Sequence, residues 1–114
     1  MSTVPDAGDL VWVNCNPRAG HEQAGHRPAL VLTPRIYHER TALAIVCPIT
    51  SNTDPYPFKV TLPEGLSIGG AVLADQAKSI DRAARQLRIA GRAPRTVLVE
   101  VQGKLAALLG VDPD

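Results

Sequence analysis

The residues most able to do chemistry crowd into one segment of the chain, from Gly20 to Leu32. Within seven residues it carries five polar or charged side chains: His21, Glu22, Gln23, His26 and Arg27. Gly25 permits a positive φ and Pro28 fixes φ, so the two are predicted to form the turn that ends this loop. Arg27 would then be held at the mouth of the apolar strand that follows. A guanidinium fixed in this way is suited to chemistry on an anionic substrate.

Short apolar segments separated by Gly- and Pro-rich turns predict a small curled sheet or barrel around this loop. Strands are expected at residues 9–14, 29–33, 41–49, 58–62, 71–74 and 86–90. Residues 35–40 are predicted to form one short helical turn or an irregular link, and residues 75–79 to continue into a bend. The polar segment from Thr50 to Pro57 is predicted to be a second, mobile loop, because it has few apolar anchors.

The last segment, residues 94–109, is compatible with two kinds of element. Its β-branched residues between 96 and 101 are typical of a strand. Its apolar residues also recur at helical spacing, with Pro94 suited to the first helical position and Gly110 to the end. A helix would carry an apolar stripe that must be covered, formed by Val97, Val101, Leu105 and Leu108.

Length and composition fit one domain over residues 1–114, with its core expected at about 8–110. Apolar residues make up 45% of the chain, and no apolar run approaches the roughly 20 residues that cross a bilayer, so no membrane contact is expected. Cys15 and Cys47 lie far apart in apolar segments, which is typical of reduced core thiols in a cytoplasmic protein. No residue spacing resembles a metal site, so neither a metal nor another cofactor is expected.

Positive charge is concentrated in one part of a nearly neutral chain, whose net charge is +1. Between residues 78 and 95, six lysine or arginine side chains accompany a single acidic residue, Asp81. Such a basic segment indicates an anionic partner. The alternative is a solvent-exposed strand and turn with ordinary arginines.

Five motifs occur together and in one order. They are Gly-Asp-Leu-Val-Trp-Val at residues 8–13, Glu-Gln-Ala-Gly-His-Arg-Pro-Ala at 22–29, Pro-Ile-Thr-Ser at 48–51, Tyr-Pro-Phe-Lys-Val at 56–60 and Ala-Val-Leu-Ala-Asp-Gln-Ala-Lys-Ser-Ile at 71–80. Together they resemble the MazF/PemK family of toxin endoribonucleases over nearly the whole chain. The resemblance implies a mainly β fold with a C-terminal helix, an SH3-like small β-barrel of the MazF/CcdB/Kid type. It also implies that residues 71–80 contain the fifth and sixth strands.

The resemblance further implies a toxin of a type II toxin–antitoxin system that cleaves single-stranded mRNA at specific sequences without a metal. RNA carries its own nucleophile, the 2′-hydroxyl. Its cleavage needs a proton acceptor, a proton donor and a positive charge at the phosphate, and it leaves 2′,3′-cyclic phosphate and 5′-hydroxyl ends. The implied partners are mRNA, a MazE-like antitoxin and a second copy in a homodimer.

The family's catalytic pair matches Arg27 and Thr50, and Glu22 matches a glutamate tied to activity. Arg27 can clamp a phosphate through two parallel hydrogen bonds, and Thr50 can donate one more. Glu22 is the best candidate for the base, although it could instead form an ion pair with Arg27 that shapes the loop. His26 is a candidate RNA contact, and with His21 it would suit a two-histidine ribonuclease. Alternatively, His26 bonds to the backbone and holds the turn.

Further RNA contacts are implied at Ser51, Gln76 and Lys78, which match family positions near the RNA groove. Gln76 and Lys78 could instead form a sheet-edge pair with Asp75. Within the basic segment, Arg85 and Arg88 are expected to contact either RNA flanks or the acidic tail of an antitoxin.

The principal alternative is a non-enzymatic toxin on the same fold, which binds a protein such as DNA gyrase as CcdB relatives do. Those relatives act through a C-terminal Trp-Gly-Ile tail, whereas this sequence ends in Gly-Val-Asp-Pro-Asp. An adaptor for proline-rich peptides is disfavoured because such domains need several aromatic residues. This chain has only Trp12, Tyr37, Tyr56 and Phe58, which is too few for such a binding groove.

Overall fold

The structure, a computed structural model, describes residues 4–14 and 25–111 of the chain. Within these residues the strands are β1 (Asp9–Asn14), β2 (His26–Val31), β3 (Leu43–Thr50), β4 (Lys59–Thr61), β5 (Ala71–Leu73), β6 (Lys78–Asp81) and β7 (Arg88–Arg92). The helices are α1 (Arg35–Arg40) and α2 (Arg95–Leu108), and a 3-10 turn at Ala74–Gln76 separates β5 from β6. No helix in this part of the chain is long and apolar enough to cross a membrane.

The central strand is β3, which has antiparallel neighbours along both of its edges. On one edge it pairs with β2, from Ala29 opposite Pro48 to Val31 opposite Val46. On the other edge β6 pairs with its first half and β5 with its last two residues. The strand order is β4–β5–β3–β2–β1–β7, and the described parts of β4 and β7 do not pair to close the sheet. The predicted class, a mainly β fold with a C-terminal helix, is therefore confirmed, and its barrel-like sheet stays open.

Apolar side chains pack on both faces of the sheet, because residues of β1, β2 and β3 alternate between two cores. The larger core joins these strands to α2 and includes Leu10, Leu30, Cys47, Val97 and Val101. The smaller core, on the opposite face, consists of Val11, Val13, Ala29, Val31, Ala44, Val46 and Ile80. Burying one such aliphatic side chain contributes roughly 1.5–3 kcal/mol, so a shift of register in these strands would be costly on both faces.

Helix α2 agrees with the predicted helix to within one residue at each end. Pro94 directly precedes the helix rather than occupying its first position, and Gly110 follows its end with a φ of 78°. The predicted apolar stripe is not uniformly exposed. Val97 and Val101 are buried in the chain's own core, whereas Leu108 is 48% exposed. The expectation that the whole stripe needs an external cover is wrong, because the sheet covers its first half.

The prediction for the start of β2 is wrong. The strand begins at His26 rather than at Ala29, so Arg27 lies inside it and not at its mouth. Pro28 pairs with Trp12 of β1 and does not form a turn. The strand accommodates this proline because no partner requires its missing N–H at that position.

The second half of the sheet also differs from the composition-based prediction. Residues 75–79 form most of the 3-10 turn and the start of β6, as the family resemblance implied, and not a bend. β7 begins at Arg88, two residues later than predicted, because residues 82–87 form a turn in which Gln86 adopts a φ of 50°. An irregularity between Leu10 and Val11 interrupts the pairing of β1 with β7, and bulges of this kind bend an edge strand.

Gly70 lets β5 approach the end of β3 closely. Its φ is 119°, and an added Cβ would lie 2.3 Å from the carbonyl oxygen of Thr50. We expect Gly70→Ala to lower the free energy of unfolding by roughly 1–3 kcal/mol, as measured by urea denaturation. Gly69→Ala is the matched control, because its Cβ would meet no atom within 4 Å. Equal stabilities of the two variants would contradict this role of Gly70.

Candidate active site

An open cleft of about 510 Å³ lies where β2 and β3 separate. Its walls come from these strands, from the loop after β3 and from the segment that joins β5 to β6. The lining residues are Arg27, Pro28, Pro48, Ile49, Thr50, Ser51, Gly69, Leu73, Gln76 and Lys78. Five of the residues predicted from the sequence are thus brought together: Arg27, Thr50, Ser51, Gln76 and Lys78.

Two prolines border the point at which the β2–β3 hydrogen-bond ladder ends. Just beyond β2, the Leu32 N–H donates to the Ile45 carbonyl of β3. Because backbone N–H groups alternate in direction along a strand, the nitrogen of Pro28 also faces β3, and it has no hydrogen to donate. The pairing accordingly ends with Ala29 opposite Pro48. Beyond this pair the cleft opens between the strands.

Positive charge in the cleft comes from Arg27 and Lys78, which lie on one face of the sheet. The strand register places Arg27 opposite Val13 and Lys78 opposite Val46, and both valines belong to the smaller core. Paired residues of antiparallel strands project to the same side. Arg27 and Lys78 are both exposed, and neither forms an ion pair with a residue that the structure describes. Two such cations suit a phosphate.

Thr50 brings a hydroxyl group to the cleft from the last position of β3. Its Oγ1 accepts a hydrogen bond from the backbone N–H of Asn52 at 3.1 Å. Since that bond uses an acceptor lone pair, the hydroxyl proton remains able to donate to a ligand. Ser51 is exposed and supplies a second hydroxyl.

The loop that joins β3 to β4, here the β3–β4 loop, is held by polar contacts that its composition does not reveal. Its first seven residues are all exposed. The Lys59 ammonium donates to the carbonyls of Asn52 and Asp54 at 2.7 and 2.9 Å. Near the other end of the loop, the Lys104 ammonium of α2 donates to the Pro57 carbonyl at 2.7 Å. With a longer bond from Lys59 to Asn52 Oδ1 at 3.4 Å, the prediction of a weakly anchored loop therefore misses four hydrogen bonds from lysines.

Asp75 is bound to a tyrosine and not to the partners proposed for it from the sequence. The Tyr56 hydroxyl donates to its Oδ2 at 2.6 Å. This bond raises the pKa of Tyr56, because it favours the protonated phenol. Gln76 and Lys78 line the cleft instead, so the sheet-edge pair with Asp75 is not observed. The tyrosine links the β3–β4 loop to the 3-10 turn that carries Gln76.

Three of the predicted RNA contacts do not line the cleft. His26 precedes Arg27 in β2, and strand alternation directs it to the opposite face. Arg85 lies in the turn before β7 and Arg88 in β7 itself, on the far side of β1 from β2. Glu22, the proposed base, lies outside the described residues.

The basic segment at residues 78–95 is divided among several roles and does not form one surface. Arg82 donates to two backbone carbonyls, at 2.6 and 2.8 Å. Arg92 forms an ion pair with Asp9, with 2.8 Å between Nη1 and Oδ1. Lys78 is the member of the segment that reaches the cleft. Net charge along the sequence therefore overstates the charge available to an anion.

Cys47 is buried in the larger core, as predicted. Burial raises the pKa of its thiol to about 12, and the negative charge of Asp75 adds to the effect. Such a thiol is inert as a nucleophile at neutral pH. Cys15 lies outside the described residues. Among the residues that are described, no group of His, Cys, Asp and Glu side chains could hold a metal ion.

The chain is similar to known proteins along nearly its whole length. A family model described as a PemK-like, MazF-like toxin of type II toxin–antitoxin systems matches residues 6–109. The chain is 43% identical over 107 residues to endoribonuclease toxin MazF of Escherichia coli K12, covering 94% of this chain and 96% of that protein. A crystal structure of MazF from Deinococcus radiodurans matches with a TM-score of 0.85 and 53% identity, over 96% of this chain and 99% of that one. A MazE–MazF crystal structure from the same organism matches with a TM-score of 0.87 and 47% identity, over 97% and 100%.

Proposed function

The chain belongs to the PemK-like, MazF-like toxin family of type II toxin–antitoxin systems, and from that premise we propose that it is an endoribonuclease that cleaves single-stranded mRNA in the cytoplasm. Sequence-specific cleavage of mRNA would inhibit translation and growth. The observation that carries the proposal is the cleft in which two cations, Arg27 and Lys78, lie beside the hydroxyl of Thr50. This combination suits a phosphodiester whose own 2′-hydroxyl is the nucleophile.

The proposed reaction needs two proton transfers and a stabilised phosphate. The 2′-oxygen bonds to phosphorus as its proton passes to a base, and the bond from phosphorus to the 5′-oxygen breaks as that oxygen gains a proton. Arg27 clamps the phosphate, because a guanidinium offers two parallel N–H donors and stays protonated in proteins. Thr50 donates its hydroxyl to a phosphate oxygen, where negative charge grows in the transition state.

Glu22 is the proposed base in this scheme. It lies five residues before Arg27 in the chain, and its carboxylate accepts a proton more readily than the hydroxyl groups of the cleft. In the alternative role, Glu22 forms an ion pair with Arg27 and orients the guanidinium. Either role couples the segment before β2 to the phosphate clamp.

Bound RNA is proposed to extend beyond the phosphate that is cut. Lys78 would neutralise a neighbouring phosphate, while Ser51 and Gln76 offer a hydroxyl and an amide to the base edges of unstacked nucleotides. Residues outside the cleft would contact only flanking nucleotides. The proposed flanking contacts are His26, Arg85 and Arg88.

A MazE-like antitoxin is the proposed inhibitor, and we expect it to compete with RNA for the cleft. A similar solved structure is a MazE–MazF complex. Carboxylates of an acidic antitoxin segment would bind Arg27 and Lys78, the same cations that are assigned to phosphate. Salt screens exposed charges beyond about 8 Å, so apolar contacts would supply most of the affinity and the cations would govern competition.

A second copy of the chain is the other proposed partner. An apolar groove of about 250 Å³ lies between α2, the end of β2 and the start of β3, and it is lined by Leu32, Thr33, Ile45, Gln102, Leu105, Ala106, Leu109 and Val111. Leu109 and Val111 are 68% and 56% exposed. Contiguous exposed apolar surface of this kind favours association, and in a homodimer it would be covered by the partner.

Purified protein is expected to cleave single-stranded RNA in the presence of EDTA and to leave 2′,3′-cyclic phosphate and 5′-hydroxyl ends. The reason is that the proposed nucleophile belongs to the RNA and the proposed catalytic groups are side chains. Mapping the cut ends by mass spectrometry is the measurement. The control is the same oligonucleotide with deoxyribose at the cut site, which should survive intact. Cleavage of that control, or a strict need for magnesium, would refute the mechanism.

Arg27→Ala and Thr50→Ala are each expected to lower kcat by about 100-fold or more, because each removes an interaction that strengthens in the transition state. Arg40→Ala is the control, since Arg40 is exposed on α1 and does not line the cleft. Thermal melting should be similar for the three variants. Wild-type kcat in Arg27→Ala would contradict the assigned phosphate clamp.

Light scattering at micromolar concentration is expected to give twice the mass of one chain, and Leu109→Asp to give the mass of one chain. The substitution places a charge in the apolar groove that the partner is proposed to cover. Val99→Asp is the control, because Val99 is 51% exposed on α2 but does not line the groove. A monomeric wild-type protein would rule out the dimer, and dissociation by both substitutions would rule out this groove as its interface.

A further inference from the structure

We propose that Lys59 is a positioning residue for the Thr50 hydroxyl and that it acts through Asn52. The inference rests on the proposed function, in which Thr50 donates a hydrogen bond to the phosphate that is cut. Lys59 does not line the cleft. It would therefore support catalysis without contacting RNA, by holding the backbone that follows Thr50.

The Lys59 ammonium has three oxygen acceptors in the β3–β4 loop. Its Nζ donates to the Asn52 carbonyl at 2.7 Å, to the Asp54 carbonyl at 2.9 Å and to Asn52 Oδ1 at 3.4 Å. Lys59 is itself fixed, because it begins β4 and its backbone N–H donates to the Tyr56 carbonyl at 3.0 Å. A side chain that starts from a strand thus fastens an otherwise exposed loop.

Asn52 connects this restraint to Thr50. Its backbone N–H donates to Thr50 Oγ1 at 3.1 Å, and its Oδ1 also accepts the Asp54 N–H at 2.9 Å. The residue is therefore held on one side by the lysine and on the other by the threonine. The N–H bond to Oγ1 restrains the rotamer of Thr50 and so the direction in which its hydroxyl can donate. Catalytic hydrogen bonds depend steeply on such orientation.

The surroundings of Lys59 favour positioning over direct attraction of RNA. An ammonium has three N–H donors, and the loop provides three acceptors for them. None of these acceptors carries a formal charge, and no donor is left for a phosphate. Lys104 of α2 offers a comparison at the same loop, because its ammonium donates to the Pro57 carbonyl and, among the residues that the structure describes, to no atom of Asn52.

The test measures steady-state cleavage of a short RNA by Lys59→Met, with Lys104→Met as the matched control. Each substitution removes an ammonium that contacts the β3–β4 loop, but only the first removes the contact with Asn52. We expect Lys59→Met to lower kcat about 10- to 100-fold while KM changes less than about two-fold. Lys104→Met should retain wild-type kcat. Lys59→Arg, which can still donate to two carbonyls, should retain more activity than Lys59→Met.

A second comparison establishes whether Lys59 acts through Thr50. In a Thr50→Ala background, Lys59→Met should cause no further loss of kcat, because the group that it positions is absent. Asn52→Ala removes the Oδ1 acceptor at an exposed position, so the variant is expected to fold normally. It should lower kcat in the same direction as Lys59→Met.

Unchanged kcat in Lys59→Met would overturn the inference, and so would an equal loss in Lys104→Met or a full additional loss in the Thr50→Ala background. A rise in KM that depends on salt, at constant kcat, would identify Lys59 as a direct electrostatic contact and also overturn it. Full activity of Thr50→Ala would instead remove the proposed function. Failure of the inference and failure of the proposed function can be told apart, because only full activity of Thr50→Ala would show that cleavage does not depend on Thr50.

Discussion

Hydrogen bonding along both edges of β3 is the constraint on which the rest of the structure depends. A strand between paired neighbours leaves no room for a ligand, because its backbone groups are already matched. The β2–β3 ladder ends beside Pro28 and Pro48, and the nitrogen of Pro28, which faces β3, has no hydrogen with which to continue it. The two apolar cores keep the strands fixed on either side of this opening. Binding groups in the cleft therefore project from rigid walls.

Local patterns in the sequence predict those parts of the fold that depend on near neighbours in the chain. Alternation of apolar residues locates β1, and Pro94 with Gly110 locates α2. The start of β2 could not be predicted, because a proline is tolerated within a strand only where its neighbour needs no donor. Whether that is so at Pro28 depends on β3, which lies more than ten residues away in the chain.

In the candidate site, too, sequence motifs identify residues, whereas the partners of those residues depend on segments that are distant in the chain. Motifs indicate Arg27, Thr50 and Lys78, because each residue is part of a recognisable segment. They do not indicate which cations are already bound within the protein. Arg82 and Arg92 belong to the basic segment by sequence, yet one binds backbone carbonyls and the other binds Asp9. Their partners come from α1, the residue after it, and β1, and such pairings follow only from the folded chain.

The irregular pairing of β7 has a consequence for solubility. β7 ends the strand order within the described part of the sheet, so its outer backbone groups could accept another strand. The bulge in its pairing with β1 and the exposed side chain of Arg88 oppose that contact. Two molecules that meet edge to edge would bring like charges together on a bent strand. Open-ended stacking into fibres is thereby disfavoured, even though the neighbouring strands are rich in valine and leucine.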